Sequence, residues 1–316
     1  MRLTRRAFWL LPLLALPLPL VLNQYYQYVV NLILVYVLVG VGFNIVVGNL
    51  GQLAFSNVAF FGIGAYASAI LTTKLGMPWW LTVIPAGLIG ALAGCAASIP
   101  ALRGVRLFYL AIMTLAFGEL MRWSYIRTPV LTGGSMGLSV PPAEVLGWTL
   151  TRDDQKFYVF LFIVVVVVVC TNRILESRIG RAFQAIKNDE KAAAAMAIAT
   201  SRYFLLAFAL SGFVVGIGGA MYAALVGHLS PEAFDLVQLI QQFAIIMVGG
   251  LGSLAGSVLG AILITATPEI FRDWPGFEEL MFGVVIVLVI MFLPRGLVSL
   301  LARIHPVFKD RFYQDD

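Results

Sequence analysis

Long apolar stretches restrict this chain to a narrow choice of folds. Of its 316 residues, 60% are hydrophobic and 12% are charged. Inside a bilayer the backbone must satisfy its own hydrogen bonds, and a helix of about 20 apolar residues does so while crossing the hydrocarbon. We therefore predict an all-α fold, a polytopic transmembrane helical bundle in which residues 1–316 form a single transmembrane domain.

Apolar segments recur along the whole sequence and predict about ten membrane segments. The first, within residues 1–27, follows Arg2, Arg5 and Arg6 and resembles an export signal, but no clear cleavage site follows it, so we predict an uncleaved helix. The segments at 237–248 and 253–267 are short, which leaves full crossings and re-entrant half-helices both open. The remaining segments are 28–47, 54–73, 79–99, 107–125, 157–172, 203–226 and 279–293.

The basic residues are divided unevenly between the two predicted sides of the membrane. Most of the 21 Lys and Arg residues fall at the chain ends or in loops on one side, as cytoplasmic loops require. This bias predicts that both termini and residues 173–202 are cytoplasmic. The fewer basic residues on the predicted outer side are Lys74, Arg122, Arg127, Arg152, Lys156 and Arg272.

Residues 173–202, called here the polar segment, interrupt the apolar pattern with charged residues and strong helix formers. They predict two short helices outside the bilayer, at 177–187 and 189–200. Asn188 is the expected N-cap, and Asp189 and Glu190 are expected in the first turn, where the helix dipole favours carboxylates. The segment is either a docking element that receives force from a soluble partner or a solvated loop whose charges only set topology.

The longest predicted outer loop, at 126–156, is rich in glycine and proline. It contains the run Thr-Gly-Gly-Ser-Met-Gly at 132–137 and two prolines at 141–142, a density that indicates fixed turns rather than a flexible tether. We predict a structured extracytoplasmic loop, serving either as a surface for an external partner or as a connector.

The pattern G-x-L-G-x-L-A occurs once in each half of the chain, beginning at Gly48 and at Gly249. Clustered glycines interrupt helices, and paired glycine-broken segments in the two halves of a transporter indicate a pathway near the midplane. Close packing of helices through small residues is the alternative explanation for the glycines. The candidate pathway residues around the first break (48–51) and the second break (249–252) are Asn44, Asn49, Gln52, Ser56, Asn57, Gly249 and Gly252.

Glu119 is the one acidic residue well inside a long apolar run, and a charge at membrane depth is functional by default. It is therefore a further pathway candidate. Arg122 follows three residues later on the same helix face, so a local ion pair is an equally good explanation.

Several classes of function lack the motifs that they need. The sequence has no phosphate-binding G-x-x-x-x-G-K-[ST] loop, only two histidines and no recognisable catalytic pair. We therefore predict no enzyme activity, no catalytic residue, no metal site and no cofactor bound by this chain. The basic charge needs no nucleic acid to explain it, because it lies in membrane-flanking loops.

Four stretches resemble the LivM-type permease subunits of ABC importers for branched-chain amino acids, over about residues 30–300. They are Gly-Asn-Leu-Gly-Gln and the following residues at 48–66, the Thr-Leu-Ala-Phe run within 109–122, the Thr-Gly-Gly loop at 132–137, and 180–195 with 207–223. The last of these is the most specific. Within the polar segment, Ala197 stands where the family usually has glycine.

The resemblance implies a division of labour in a bacterial inner membrane. An extracytoplasmic binding protein would deliver the solute, this chain and a paralogous permease would form the path, and two cytoplasmic ATPase subunits, which hold ATP and Mg²⁺, would bind the polar segment. Gly180 would allow the bend, Arg181 and Glu190 would make polar contacts, and Asn188 would cap the helix. The coupling residues implied are Gly180, Arg181, Ile186, Asn188, Asp189 and Glu190.

Three alternatives remain open: an importer for another solute, an ion-driven secondary transporter, and a structural or assembly membrane protein. An importer of the same architecture for urea, a short amide, another amino acid or a sugar would have a similar sequence. A secondary transporter driven by an ion would need paired acidic residues at membrane depth, and only Glu119 comes close.

Overall fold

The computed structural model describes residues 16–145, 147–272, 278–293 and 296–299. The predicted first segment therefore lies mostly outside the described residues, as do several of the terminal basic residues. The α-helices are α1 (Leu18–Val21), α2 (Gln24–Asn44), α3 (Asn57–Leu75), α4 (Trp79–Ala97), α5 (Ile99–Leu102), α6 (Leu107–Arg127), α7 (Pro129–Thr132), α8 (Asp153–Glu176), α9 (Arg178–Asn188), α10 (Glu190–Ala195), α11 (Thr200–Val226), α12 (Leu236–Gly249), α13 (Leu254–Ile270) and α14 (Glu278–Phe292).

Helix α11 is the centre of the bundle. It packs against α4, α3 and α2, and most of its side chains are buried. Helix α2 packs against α13, α8 and α12 as well as against α11. It continues directly into a π-helical turn at Ile45–Asn49. The core is therefore a set of helices around α11 and α2, with α6 packed mainly on α3 at the edge.

Small residues allow α4 and α11 to approach backbone to backbone. A Cβ atom at Gly90 would lie 2.3 Å from the carbonyl oxygen of Gly212, and a Cβ atom at Gly212 would lie 2.1 Å from that of Gly90. Lipid tails are as apolar as leucine, so helices in a bilayer associate largely through close van der Waals contact of this kind. Packing therefore explains the glycines of this crossing.

Within the described residues, five helices are long and apolar enough to cross a membrane: α2 with its π-turn, α3, α4, α8 and α11. Helices α12 and α13, and residues Leu280–Val289 of α14, are shorter apolar helices. The prediction of an all-helical membrane protein is confirmed in this form, whereas the number of about ten segments remains a prediction. Helix α6 has 21 residues but is not among the five.

The 126–156 loop has a defined backbone. It contains α7, a 3₁₀ turn at Gly134–Met136, and the strands β1 (Leu138–Ser139), β2 (Glu144–Val145) and β3 (Trp148–Thr149). Strand β1 pairs with β4 (His228–Leu229), which follows α11, and β2 pairs with β3, both antiparallel. The loop is thus attached to the end of the central helix.

The crossing of α4 and α11 predicts a sharp sensitivity to side-chain size. We expect Gly212→Ala to lower the free energy of unfolding by about 1–3 kcal/mol, because the added methyl group overlaps the carbonyl of Gly90 and the backbones must separate. Thermal unfolding of the purified chain in detergent measures this.

The matched control is Gly283→Ala, in α14, where an added Cβ atom meets nothing within 4 Å. An equal loss of stability in both variants would contradict close packing at the crossing.

Candidate functional site

The polar segment folds into two short helices, α9 and α10, between the long helices α8 and α11. Ser177 has an extended backbone, and its hydroxyl accepts a hydrogen bond from the Ile179 N–H at 3.1 Å, which caps α9. The turn between α8 and α9 is therefore at Ser177. Gly180 lies within α9, where a Cβ atom would be 1.8 Å from the carbonyl oxygen of Leu175, so glycine permits the close corner.

Helix α9 has one buried face and one exposed basic face. Gly180, Ala182, Phe183 and Ile186 are buried against the bundle. The exposed positions on the other side include Arg178, Arg181, Gln184 and Lys187. This is the pattern of a helix that lies on a protein surface and presents charges to water or to a partner.

The cap of the second helix differs from the prediction. Asn188 is the last residue of α9, whereas Asp189 has the extended backbone of an N-cap and accepts hydrogen bonds from the Lys191 and Ala192 N–H groups at 2.8 and 3.0 Å. The prediction that Asn188 is the cap is wrong by one residue. Aspartate is a favourable N-cap because its side chain accepts these hydrogen bonds and its negative charge interacts with the positive end of the helix dipole.

Helix α10 also ends earlier than residue 200, because the chain reverses at Ala197. Its φ angle of 62° lies in the left-handed region, and it is the one non-glycine residue of the described chain with a positive φ. The Ile198 N–H bonds to the Ala193 carbonyl and the Ala197 N–H to the Ala194 carbonyl, both at 3.1 Å. This is a Schellman motif, in which glycine is the usual residue at the position that Ala197 occupies.

Glu190 is joined to the foot of α6. Its carboxylate receives two hydrogen bonds from the Arg106 guanidinium, at 2.6 and 2.7 Å, in a bidentate pair that is partly shielded from solvent. The same guanidinium lies 4.2 Å from the ring centre of Phe204 in α11. Glu190 therefore connects α10, α6 and α11 within this chain. The expected contact of Glu190 with a partner subunit remains a prediction.

Asn44 joins the two glycine breaks. Its side-chain amide donates to the Ser253 carbonyl and the Ser257 hydroxyl, both at 2.9 Å, and accepts from the Gly252 N–H at 2.8 Å. Asn49 in turn donates to the Asn44 carbonyl at 3.1 Å. A single buried side chain thus satisfies the backbone groups that the interrupted helix leaves exposed in an apolar surrounding.

The two breaks touch each other and the polar segment. A Cβ atom at Gly48 would lie 2.3 Å from the Gly252 nitrogen, so the breaks meet backbone to backbone. A Cβ atom at Gly51, where φ is +76°, would lie 2.7 Å from Cγ of Lys187, and one at Gly252 would lie 3.9 Å from its ammonium. The stem of Lys187 therefore lies across both breaks.

The other candidate pathway residues occupy separate places. Gln52, Ser56 and Asn57 are buried in or beside the extended stretch between the π-turn and α3, and the Asn57 amide donates to Gln242 of α12 at 2.8 Å. Gly249 packs on α13, where its Cβ atom would lie 2.0 Å from the Gly256 carbonyl oxygen. Glu119 lies apart from both breaks, on α6, in an ion pair with Arg122 at 2.9 Å.

Residues far apart in sequence complete this site, and sequence reasoning did not select them. They are Arg106, Lys187, Gln242, Ser253 and Ser257. Ser253 and Ser257 had a weak signal, because Ser253 lies inside the second glycine motif and Ser257 follows it at helical spacing. In the described part of the chain, no three His, Cys, Asp or Glu residues are grouped as metal ligands would be.

Comparison with known proteins decides the family. Residues 25–294 match the model of the family described as branched-chain amino acid transport system / permease component. The chain belongs to this permease family. The match covers α2 to α14 and includes both glycine breaks and the polar segment, so the permease is a multi-pass membrane protein and a transport subunit.

Individual relatives agree with this assignment. The permease is 33% identical over 311 residues to the high-affinity branched-chain amino acid transport system permease protein LivM of Escherichia coli K12, covering 91% of this chain and 73% of that one. It is 32% identical to LivM of Salmonella typhimurium, over 86% and 69% of the two chains. It is 22% identical to LivH of E. coli K12, over 84% and 91%. No solved structure matches the permease.

The Arg106–Glu190 pair predicts rescue by charge exchange. We expect Glu190→Arg to lower the stability of the purified permease by roughly 1–3 kcal/mol, because it removes a bidentate pair and adds a like charge. Combining it with Arg106→Glu should recover part of that loss in a thermal-unfolding measurement. If the double variant were no more stable than Glu190→Arg alone, the internal pair would not hold α10 in place.

The reversal at Ala197 predicts a stabilising substitution. We expect Ala197→Gly to stabilise the permease by about 1 kcal/mol, because glycine adopts a positive φ without the steric cost that alanine bears. Ala192→Gly, inside α10, is the control and should destabilise, because glycine weakens a helix interior. Equal changes in thermal unfolding for the two variants would argue against a left-handed conformation at residue 197.

Proposed function

We propose that this permease carries branched-chain amino acids across the bacterial inner membrane, as one of two related permease subunits of an ABC importer. An extracytoplasmic binding protein delivers the solute, and two cytoplasmic ATPase subunits supply the energy. The names of the LivM, LivH and BraD relatives support the solute class, because each is described as a branched-chain amino acid transport permease.

The observation that carries the mechanism is the position of α9. Its buried face rests on the bundle, its Lys187 stem lies across both glycine breaks, and its opposite face is exposed and basic. The sequence has no phosphate-binding loop of its own. A subunit of this kind must receive its energy from outside, and the exposed face of α9 is the surface on which an ATPase would act.

In this mechanism, ATP-driven closure of the two ATPases moves α9, and the breaks move with it. The two glycine breaks meet backbone to backbone, with few side chains between them. A small displacement of one break would therefore open or close a solute path between them. The polar segment and both termini lie in the cytoplasm, as the excess of basic residues in those parts supports.

A second solute class is compatible with the same architecture, because the binding protein largely selects what is delivered. An ion-coupled mechanism is less well supported. Its best candidate, Glu119, is paired with Arg122 three residues away, whereas an ion-driven transporter needs paired acidic residues at membrane depth.

The test is reconstitution of the permease with its partner permease, ATPases and binding protein in lipid vesicles. We expect ATP-dependent uptake of leucine, isoleucine and valine that requires every component, and none with the permease alone. Arg181→Glu, on the exposed face of α9, should reduce uptake about tenfold, the effect of roughly 1.4 kcal/mol at a subunit contact.

The matched control is Arg202→Glu, which makes the same charge change at another exposed position of the polar segment. Equal losses in both variants would indicate that the charges only set topology. Uptake driven by an ion gradient without ATP would contradict the proposed function itself.

A further inference from the structure

One face of α6 is exposed along the whole helix. Tyr109, Met113, Leu120 and Trp123 are between 48% and 75% exposed, and they recur at helical spacing. The opposite side of α6 is buried against α3 and the extended stretch before it, where the Thr114 hydroxyl accepts a hydrogen bond from the Phe55 N–H at 2.8 Å. We call the exposed side the α6 face, defined by these four residues together with Glu119.

The α6 face carries charge well away from the helix ends. The Glu119 carboxylate lies 2.9 Å from the Arg122 guanidinium, and both side chains are partly exposed. Glu119 precedes the end of the helix at Arg127 by eight residues, or about 12 Å at the rise of an α-helix. In a helix of spanning length this depth lies inside the hydrocarbon, where ionised side chains face protein or water rather than lipid.

The exposed faces of two other helices, α4 and α8, are apolar where the structure describes them midway along each helix. On α4 the outward positions are Ile84, Leu88 and Leu92, at 54–69% exposure. On α8 the outward positions between residues 158 and 170 include Phe162 and Val166. These faces suit lipid. Helix α6, by contrast, has the length of a spanning helix without being apolar enough to be one in lipid alone.

We propose that the α6 face is the seam with the second permease subunit, and that the Glu119–Arg122 pair lies inside this seam. This inference rests on the proposed function, because it needs a second permease. The chain is similar to both LivM and LivH, so the expected partner has the same kind of fold. Two chains of one fold associate most simply about a twofold axis, where each presents the same face.

The foot of the α6 face has a shape suited to such a partner. An open cleft of about 310 Å³ lies between residues 104–106 and the side chains of Tyr109, Ile112 and Met113. Its lining is almost wholly apolar, and methionine adapts well to a neighbour of irregular shape.

The seam is also connected to the polar segment. Arg106 immediately precedes α6 and holds Glu190 of α10 in a bidentate pair. Displacement of the polar segment is therefore transmitted to the foot of α6 and so to the seam.

Photo-crosslinking in the assembled importer tests the seam without knowledge of the partner's sequence. Benzoylphenylalanine is placed at Leu120 on the α6 face and, as the control, at Leu88 on α4, two leucines that are each 54% exposed. After irradiation in lipid nanodiscs, mass spectrometry identifies the adducts. We expect Leu120 to crosslink to the second permease and Leu88 to crosslink only to lipid.

Lipid adducts alone at Leu120 would overturn the proposal, and so would adducts to a second copy of this chain, to an ATPase or to the binding protein. Thiol labelling gives a second measurement on variants that lack Cys95 and Cys170. Leu120→Cys should react with a maleimide in the permease expressed alone and be protected in the complex, while Leu88→Cys reacts equally in both. Uptake by the same complex is measured separately, so a wrong solute class leaves the seam result intact.

Discussion

The hydrogen bonds of Asn44 connect the two glycine breaks, where the helices are interrupted. Helices α2 and α12 are both interrupted at a glycine motif, and each interruption leaves backbone groups without helical partners in an apolar surrounding. Asn44 satisfies groups from the second break with one buried side chain, at 2.8–2.9 Å. An unsatisfied buried donor or acceptor costs about 1–3 kcal/mol, so each of these hydrogen bonds favours contact between the two breaks.

The polar segment contacts the membrane helices at two places. Lys187 lies across Gly51 and approaches Gly252, while Glu190 is bonded to Arg106 at the foot of α6. In the proposed mechanism, a force on the exposed face of α9 reaches both the glycine breaks and α6. Close packing makes such a unit move as a body rather than deform, because interiors and tight backbone contacts have little free space.

The lengths of the apolar segments predicted the helices well, because the apolar length of a segment is a local property of the sequence. The ends of α6, α11, α12 and α13 differ from the expected segments by at most three residues, and both glycine motifs lie where helices end. The repeated motif G-x-L-G-x-L-A also indicated that the two breaks form one site, although the sequence does not show that they are in contact. Capping was predicted less well: Asn188 and Asp189 are both good caps, and only the backbone conformation decides between them.

The contacts that matter for the site could not be predicted from one sequence. Arg106 and Glu190 are 84 residues apart, and the partners of Asn44 lie more than 200 residues away. Long-range pairs of this kind depend on how α2, α6 and α13 pack, which periodicity does not specify. Ala197 is a different case: the resemblance flagged it as a departure from glycine, and the backbone then gave the physical reason, a positive φ.

Hydrogen–deuterium exchange of the assembled importer in nanodiscs tests most directly whether Asn44 unites the two breaks. The comparison is between the native permease, Asn44→Leu, and Asn31→Leu, which removes another buried asparagine from the same helix but one that bonds to the Asp153 carbonyl. The account predicts faster exchange in peptides covering residues 249–257 for Asn44→Leu alone, because the Gly252 N–H loses its acceptor. Unchanged protection of residues 249–257 in Asn44→Leu would contradict it.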